Sequence, residues 1–414
     1  MKFKPTLKNI VLLISTCIIL FIAVFLITLG ALNRKPLAGF YGLPEKTVDA
    51  ITQVLNSTYQ RKNKKSAPFE YVVLDSEKSL EYALKGQRKP DILFMYSGEN
   101  ANYAAKIASK RKTGLDSSIL NKMTNSVKGT AILSKNLVTG VPLLSDNYEI
   151  AFNMAKAKSS GIDNVLVWSE IQTLAQKTKS STMAPIIFPA ADDIDFVNFM
   201  GALLESVSGI DAYNRVVEKI QVNLKTGKTS TQSFQNLVTE MFSIDGEFYE
   251  SGKMIQEWKK YELLPKNFLQ LSNRDVKAFM ASPDSLTTVA FMTLSQHRTF
   301  DHEVISKYDT SFIPSVVPNI ERTFTSPTVL AIPFSKNKYC KKGIQELAGA
   351  KQSSLSSLSG LAPVVRDAGI PDKQADDARW YVAASNTPVA GLAQVFTTKN
   401  TRAAFADALR YILR

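Results

Sequence analysis

The sequence predicts an α/β protein with room for two domains, set behind an apolar N-terminal segment. Three observations carry that reading. From residue 36 the pattern runs strand, helix, strand, helix, strand, the order of a parallel sheet with helices on its faces. The chain has 414 residues, enough for two domains of ordinary size. An uncharged run from Ile10 to Leu32 lies between Lys2, Lys4 and Lys8 on one side and Arg34 and Lys35 on the other.

The uncharged run matches the roughly 20 residues a bilayer-spanning helix requires and exceeds the roughly 7–15 of a signal-peptide core. The only small-x-small pattern near its end, Thr28-Leu29-Gly30, is a poor cleavage site. An uncleaved anchor over residues 1–35 is therefore preferred to a cleaved signal. Cys17, preceded by Ile14-Ser15-Thr16, resembles a lipoprotein pattern only in part. The basic amino end favours retention inside, and each alternative puts the remaining chain outside the cytoplasm. The two cysteines, Cys17 and Cys340, fall in the membrane segment and the body, so no disulfide is expected and the core must hold the fold.

Apolar residues make up 45% of the chain and charged ones 21%, an ordinary globular balance. The net charge of +13 raises the question of nucleic acid. Lysine and arginine are spread out, however, and the densest run, Arg61-Lys62-Asn63-Lys64-Lys65, reads as a short solvated loop. No zinc-finger, RRM-like or helix-turn-helix signature accompanies it, which excludes nucleic acid as a partner. The rival use of such a surface is rest beside anionic lipid headgroups.

In chain order, Pro36 to Gly42 forms a first strand and turn, and Leu43 to Leu55 is a helix with Val48, Ile51, Val54 and Leu55 on one face. Tyr71 to Asp75 is a buried strand, Ser79 to Leu84 a helix stopped at Gly86, and Pro90 to Gly98 the third strand. Ligands bind at the carboxyl ends of strands in open α/β sheets. Those ends carry Phe40 and Tyr41, then Tyr96, Ser97, Glu99 and Asn100. The central stretch Val141 to Ile171 passes from a strand through Ser145-Asp146-Asn147 to Tyr148, Ile150 and Phe152, then through a Gly161-Ile162-Asp163-Asn164 turn to a helix opening Trp168-Ser169-Glu170-Ile171. Asp192, Asp193 and Asp195 open a long helix through Phe196, Phe199, Met200, Leu203 and Leu204; helix capping accounts for them better than a metal. Leu286 to Leu294 reads as a strand ending in a Ser295-Gln296-His297 loop, and the serine-rich Lys351 to Gly360 as a turn or hinge.

Val141-Pro142, Tyr148, Asn153 and Trp168-Ser169-Glu170-Ile171 match, in order and spacing, the crossover of extracellular solute-binding proteins of ABC importers, the maltose-binding-protein-like group. Gly86 with Pro90-Asp91-Ile92-Leu93, Leu115-Asp116, Ile332-Pro333-Phe334-Ser335-Lys336-Asn337 and Gly360-Leu361-Ala362-Pro363-Val364-Val365-Arg366 extend the likeness along nearly all the chain after the anchor. The resemblance implies a two-lobed periplasmic-binding-protein-like fold with a hinge and an interlobe cleft. Lobe I would take residues 36–143 plus 318–355, and lobe II residues 146–312 plus 356–414. It also implies a small, sugar-like solute, permease subunits of an ABC transporter as partners, and a place on the extracytoplasmic face of the membrane. The cleft needs flat apolar faces, for which Phe40, Tyr41, Tyr96, Tyr148 and Trp380 are candidates, and fixed polar groups, for which Ser97, Glu99, Asn100, Ser295, Gln296 and His297 are candidates. Trp168 and Trp258 lie at or within helices, where core packing is expected.

Signals for catalysis are missing: there is no Gly-x-Ser-x-Gly elbow, HExxH, P-loop or GxGxxG. The two histidines, His297 and His302, are five apart, off the i,i+4 zinc template. No enzyme activity, cofactor or metal is expected. The alternative function is a membrane-anchored ligand-sensing ectodomain of the same fold that signals to a membrane partner, which the anchor favours, although the short Met1 to Asn9 end argues against a signalling domain in the same chain; a scaffold that has lost its ligand is the third reading.

Overall fold

The computed structural model describes Thr16, Phe21 and residues 35–59, 69–85, 88–162, 165–180, 184–282, 286–314, 324–370, 372–383 and 386–414. The expected membrane segment lies outside the described residues, as does the Arg61–Lys65 run. Among the described residues no helix is long and apolar enough to cross a membrane.

The chain runs β1 (Leu37–Tyr41), α1 (Glu45–Tyr59), β2 (Glu70–Leu74), β3 (Ile92–Tyr96), α2 (Glu99–Arg111), β4 (Leu115–Asp116), β5 (Ile132–Ser134) and β6 (Leu137–Ser145). It then crosses into β7 (Tyr148–Asn153), α3 (Trp168–Thr178), β8 (Ile186–Ile187), α4 (Asp193–Lys225), α5 (Thr231–Met241), α6 (Tyr249–Lys260), β9 (Val289–Thr293), α7 (Leu294–His297) and β10 (Tyr308–Phe312). It returns through β11 (Thr328–Pro333), α8 (Lys338–Leu347), α9 (Gln352–Ser359), β12 (Ala362–Pro363), α10 (Lys373–Ala383) and α11 (Lys399–Leu413). Short helical turns punctuate this order.

Two separate sheets result. The first has the order β12-β6-β11-β3-β1-β2, with β4 and β5 also on β6; the second has the order β10-β7-β9-β8. In the first sheet β1 is parallel to β2 and β3, whereas β11 is antiparallel to β3 and β6. Its central strands β1, β3 and β11 are covered on both faces and read as unbroken apolar runs, whereas β2, expected to be buried, is an edge strand that leaves Val73 exposed. Alternation then sorts the side chains: Phe40, Phe94, Val329 and Ala331 enter one core layer, and Tyr41, Met95, Leu330 and Ile332 the other. α1 closes the first layer with Ala50, Ile51, Val54 and Leu55; of the expected stripe Ile51, Val54 and Leu55 are buried and Val48 packs against the layer half-buried.

The second sheet is backed by a larger core. Phe196, Phe199, Met200, Leu203 and Leu204 of α4 are buried in it, with Phe188 stacked 4.0 Å from Phe199. Trp168 and Trp258 pack there as expected, with centroids 5.9 Å apart, and the Trp168 indole donates to Ser206 Oγ at 2.9 Å. α4 runs to Lys225 with one break at Gly209, whose φ of 83° admits glycine readily.

Three local expectations are corrected. Residues 356–383 do not belong with the second sheet. β12 pairs with β6 (Ala362 with Ser145, Pro363 with Leu144), and Leu361, Val364, Val365, Ala378 and Val382 fill the first core. Only from about Leu392 does the chain join the second core. The serine-rich stretch is helix α9 rather than a turn: Leu355 is buried, Ser356 and Ser359 satisfy carbonyls, and Gln352 bonds Leu143 O at 2.9 Å and Val364 N at 3.0 Å. Ser295-Gln296-His297 is helical turn α7 rather than an open loop. Thr293 and Gln296 form a reciprocal capping box, with Thr293 N donating to Gln296 Oε1 at 2.8 Å and Gln296 N to Thr293 Oγ1 at 3.2 Å.

Candidate interlobe binding site

The two sheets are joined by strands that cross side by side. Asp146 N donates to Pro327 O at 2.9 Å and Tyr148 N to Thr325 O at 3.0 Å, so the β6–β7 crossover and the return into β11 support one another. The side chains of this crossing form a polar network. Tyr96 Oη, at the end of β3, donates to Asp146 Oδ2 at 2.6 Å. Ser295, at the start of α7, donates its N–H to Asp146 Oδ1 at 2.8 Å and its hydroxyl to Oδ2 at 2.7 Å. One buried carboxylate thus ties the first sheet to the second. Burial pushes the Asp146 carboxyl up to about 6 although the Tyr96 and Ser295 bonds pull the other way. Beside it, Asn147 donates to Ala378 O at 3.1 Å and accepts from Ser326 Oγ.

On the far side of this crossing the lobes face each other across a cavity of about 110 Å³. The first lobe supplies the carboxyl ends of β1 and β3 (Tyr41, Gly42, Tyr96, Ser97) and the N-terminus of α2 (Gly98, Asn100). The second supplies Ile194 at the start of α4, Ala393 and Gln394 from a short turn, and Phe396, Thr397 and Arg402 around the start of α11. The lobes touch here. A Cβ on Gly98, whose φ is 135°, would stand 2.6 Å from Gln394 Cβ. Gln221 Nε2 donates to Glu99 Oε1 at 2.8 Å, and Lys399 pairs with Glu77. Beyond the Gln221–Glu99 contact the boundary opens into a groove of about 830 Å³, lined by Lys106, Lys110, Leu224 and Lys225; Thr397 lines both spaces.

The sequence candidates divide accordingly. Tyr41, Tyr96, Ser97 and Asn100 line the cavity. Tyr41 presents its ring only, because its hydroxyl donates to Lys78 O at 2.6 Å. Glu99 faces the outer groove. The others serve elsewhere. Phe40 is core, between Phe94 at 5.3 Å and Tyr71 at 6.3 Å, because its position on β1 points away from Tyr41's layer. Tyr148 is buried, its hydroxyl 3.4 Å from Asp195 O. Ser295 and Gln296 are committed to Asp146 and to the α7 cap. His297 is fully buried under α7 with Nδ1 3.0 Å from Glu149 Oε1, so it is not at a cleft edge. Trp380 is 55% exposed on α10, its ring covered by the Arg379 guanidinium at 4.9 Å.

Sequence reasoning missed Arg402, Gln394, Phe396 and Asp146. Asp146 had a signal, a polar triplet between two apolar strands. Arg402 had none, since it sits in an ordinary amphipathic helix. The three aspartates at the head of α4 do not cap their own helix: Asp192 accepts from Asn273 N at 2.7 Å, Asp193 pairs with Arg410 at 2.7 Å, and Asp195 accepts from Asn273 Nδ2. Burial pushes Asp195 up to about 7. Among the described residues no group of three or more acids, histidines or cysteines could hold a metal.

Two lobes, three crossing segments that lie side by side near Asp146, Thr325 and Val389, and a cavity at the strand ends define the fold of the two-lobed solute-binding proteins, the fold that the sequence motifs implied. Solved structures agree. The bacterial solute receptor AcbH, described as exclusively preferring β-D-galactopyranose, superposes with a TM-score of 0.61 at 14% identity, over 91% of this chain and 99% of that one. RafE in complex with raffinose gives 0.62 at 12%, over 91% and 100%. Maltose-bound MalE3 of T. maritima gives 0.58 at 13%, over 91% and 99%. No family model matches the chain, and no curated protein matches its sequence.

Proposed function

We propose that this chain is an extracytoplasmic solute-binding protein of an ABC importer, held at the membrane by its N-terminal segment, that captures a saccharide between its lobes and presents it to a permease. The observation that carries this is the cavity itself. It lies at the carboxyl ends of β1 and β3 and is walled on its other side by a lobe joined through a narrow crossing. Lobe I would comprise residues 36–143 with the return segment from 318 to about 383, and lobe II residues 146–312 with the chain from about 389 to 414. Tyr41, Tyr96 and Phe396 supply apolar ring surface, and Ser97 and Asn100 supply polar groups, the mixture that orients a hydroxylated ring. The saccharides that the superposable receptors are described as binding support the same ligand class. Closure of the lobes on the solute is the signal a permease reads.

The test is a thermal-shift screen of the full chain against mono- and oligosaccharides. A ligand that binds only the folded form adds about 2.7 kcal/mol at a hundredfold excess over Kd. A clear rise for saccharides that is reduced in Asn100→Ala supports the reading. A well-folded chain that responds to none overturns it.

A further inference from the structure

The cavity contains a charge that the protein leaves unanswered. Arg402 projects from the first turns of α11, and its Nε is buried without a hydrogen-bond partner. Among the described residues its guanidinium makes no ion pair and no hydrogen bond. The other largely buried arginines are treated differently. Arg298 holds Asp372 at 2.7 Å and Gly360 O at 3.1 Å. Arg379 holds Asp376 and two carbonyls. Arg410, two turns along the same helix, holds Asp193 at 2.7 Å, Asp407 at 2.8 Å and two carbonyls. The carboxylates that act on Arg402 are engaged elsewhere, Glu77 by Lys399, Asp193 by Arg410 and Asp195 by the Asn273 amide. Burial pulls the guanidinium's affinity for its proton down, although Asp193, Tyr41, Glu77 and Asp195 act at longer range in the other direction.

A second, independent feature has the same sign. The outer groove carries Lys106, Lys110 and Lys225, all exposed and, among the described residues, without an ion-pair partner. Its one acid, Glu99, accepts from Gln221. Thr397 lines both the groove and the inner cavity, so the two lie side by side along the boundary between the lobes, and a chain reaching from one to the other would pass the Gln221–Glu99 contact.

We propose that the solute is an acidic saccharide, with a ring carboxylate held by Arg402 in the inner cavity and further carboxylates of a longer chain set against the groove lysines. This rests on the solute-binding reading above and adds the substrate class. A guanidinium presents paired donors that match a carboxylate's two oxygens. The tyrosine and phenylalanine rings beside it suit a pyranose better than a bare inorganic anion.

The experiment is isothermal titration of the full chain, purified in detergent, with galacturonate, glucuronate and their di- and trisaccharides, against galactose, glucose, the matching neutral oligosaccharides and inorganic phosphate. The acidic saccharides should bind at least tenfold more tightly than their neutral counterparts, with affinity falling as salt is raised. Arg402→Gln should lose at least tenfold for every acidic ligand. The Lys106→Gln, Lys110→Gln, Lys225→Gln triple variant should weaken trisaccharides and leave monosaccharides unchanged. Arg402→Gln without ligand should melt no lower than the wild type, because it removes an uncompensated charge; a marked drop assigns Arg402 to the scaffold and overturns the proposal. Neutral saccharides that bind equally well, and equally well to Arg402→Gln, overturn the acidic class while leaving solute binding intact. Binding of phosphate alone overturns the saccharide carboxylate. Binding of nothing overturns both readings.

Discussion

Asp146→Asn offers a direct measure of what the crossing costs. Asp146 is buried, and moving its carboxyl from the ordinary 3.8 to about 6 favours the protonated form in the folded state by about 3 kcal/mol. Since the folded value lies above the unfolded one, folding gains stability as pH falls. The contribution is absent at pH 8, reaches about 1.4 kcal/mol at pH 5, where the folded site is tenfold biased toward its proton, and is complete only below 3.8. Asn keeps the shape of the carboxyl, and its oxygen and amide can still meet Ser295 N and the two hydroxyls, but it does not titrate. It also removes the smaller push that Asp146 exerts on Asp195, an effect of the same direction. The assay is urea unfolding at pH 8, 7, 6 and 5, followed by the fluorescence of Trp168 and Trp258, which are packed in the second core. Wild type should gain at least about 1.4 kcal/mol more than Asp146→Asn between pH 8 and pH 5. Parallel pH profiles for the two proteins would refute the reasoning, and so would a wild type whose advantage grows as pH rises.

Other outcomes follow from the same geometry. Gly98→Ala places a methyl 2.6 Å from Gln394 Cβ on a backbone with φ of 135°; it should hold the lobes apart, seen as a larger radius of gyration with ligand and at least tenfold weaker binding. Phe40→Ala empties the space between Phe94 and Tyr71 and should cost about 3–5 kcal/mol in denaturant unfolding, with binding by the folded fraction unchanged. Trp380→Ala should alter stability by less than about 0.5 kcal/mol and leave calorimetric affinity unchanged, because its ring meets solvent and Arg379 rather than the cavity.

The parts of the molecule legible in the sequence are those where one periodicity decides. The stripes of α1 and of the first half of α4, the continuous apolar runs of β1 and β3, and the punctuation at the crossover all identify their elements. Strand ends were legible too, and Tyr41, Tyr96, Ser97 and Asn100, named from them, line the cavity. The misses share a cause: a residue's neighbours in space come from a distant segment. Composition suggested that Lys351 to Gly360 was a turn, but Gln352 finds its partners at Leu143 and Val364, and the buried helix follows from those bonds. His297 looked like a cleft residue until β7 placed Glu149 beneath it. Phe40 and Tyr41 are adjacent in sequence, yet the pleat sends them to opposite layers, so only one of them lines the cavity.

Arg402 and Asp146 show how such a cleft is built at the expense of stability. Both are ionisable side chains withdrawn from water on the boundary between the lobes, and each destabilises the folded state in its charged form. They differ in what answers them. Asp146 accepts three hydrogen bonds from two lobes, so its cost is partly offset within the chain, and the network fixes the crossing about which the lobes would move. Arg402 faces the open cavity with none. A structural role for Arg402 would require a partner such as the carboxylates that answer Arg298, Arg379 and Arg410, and Glu77 and Asp193 would have to abandon Lys399 and Arg410 to provide it. The arrangement makes sense when the missing acceptor arrives from outside. If the solute is acidic, as proposed, interaction energy withheld from the empty protein would be released on binding, and the lobes would close most firmly on the complementary charge.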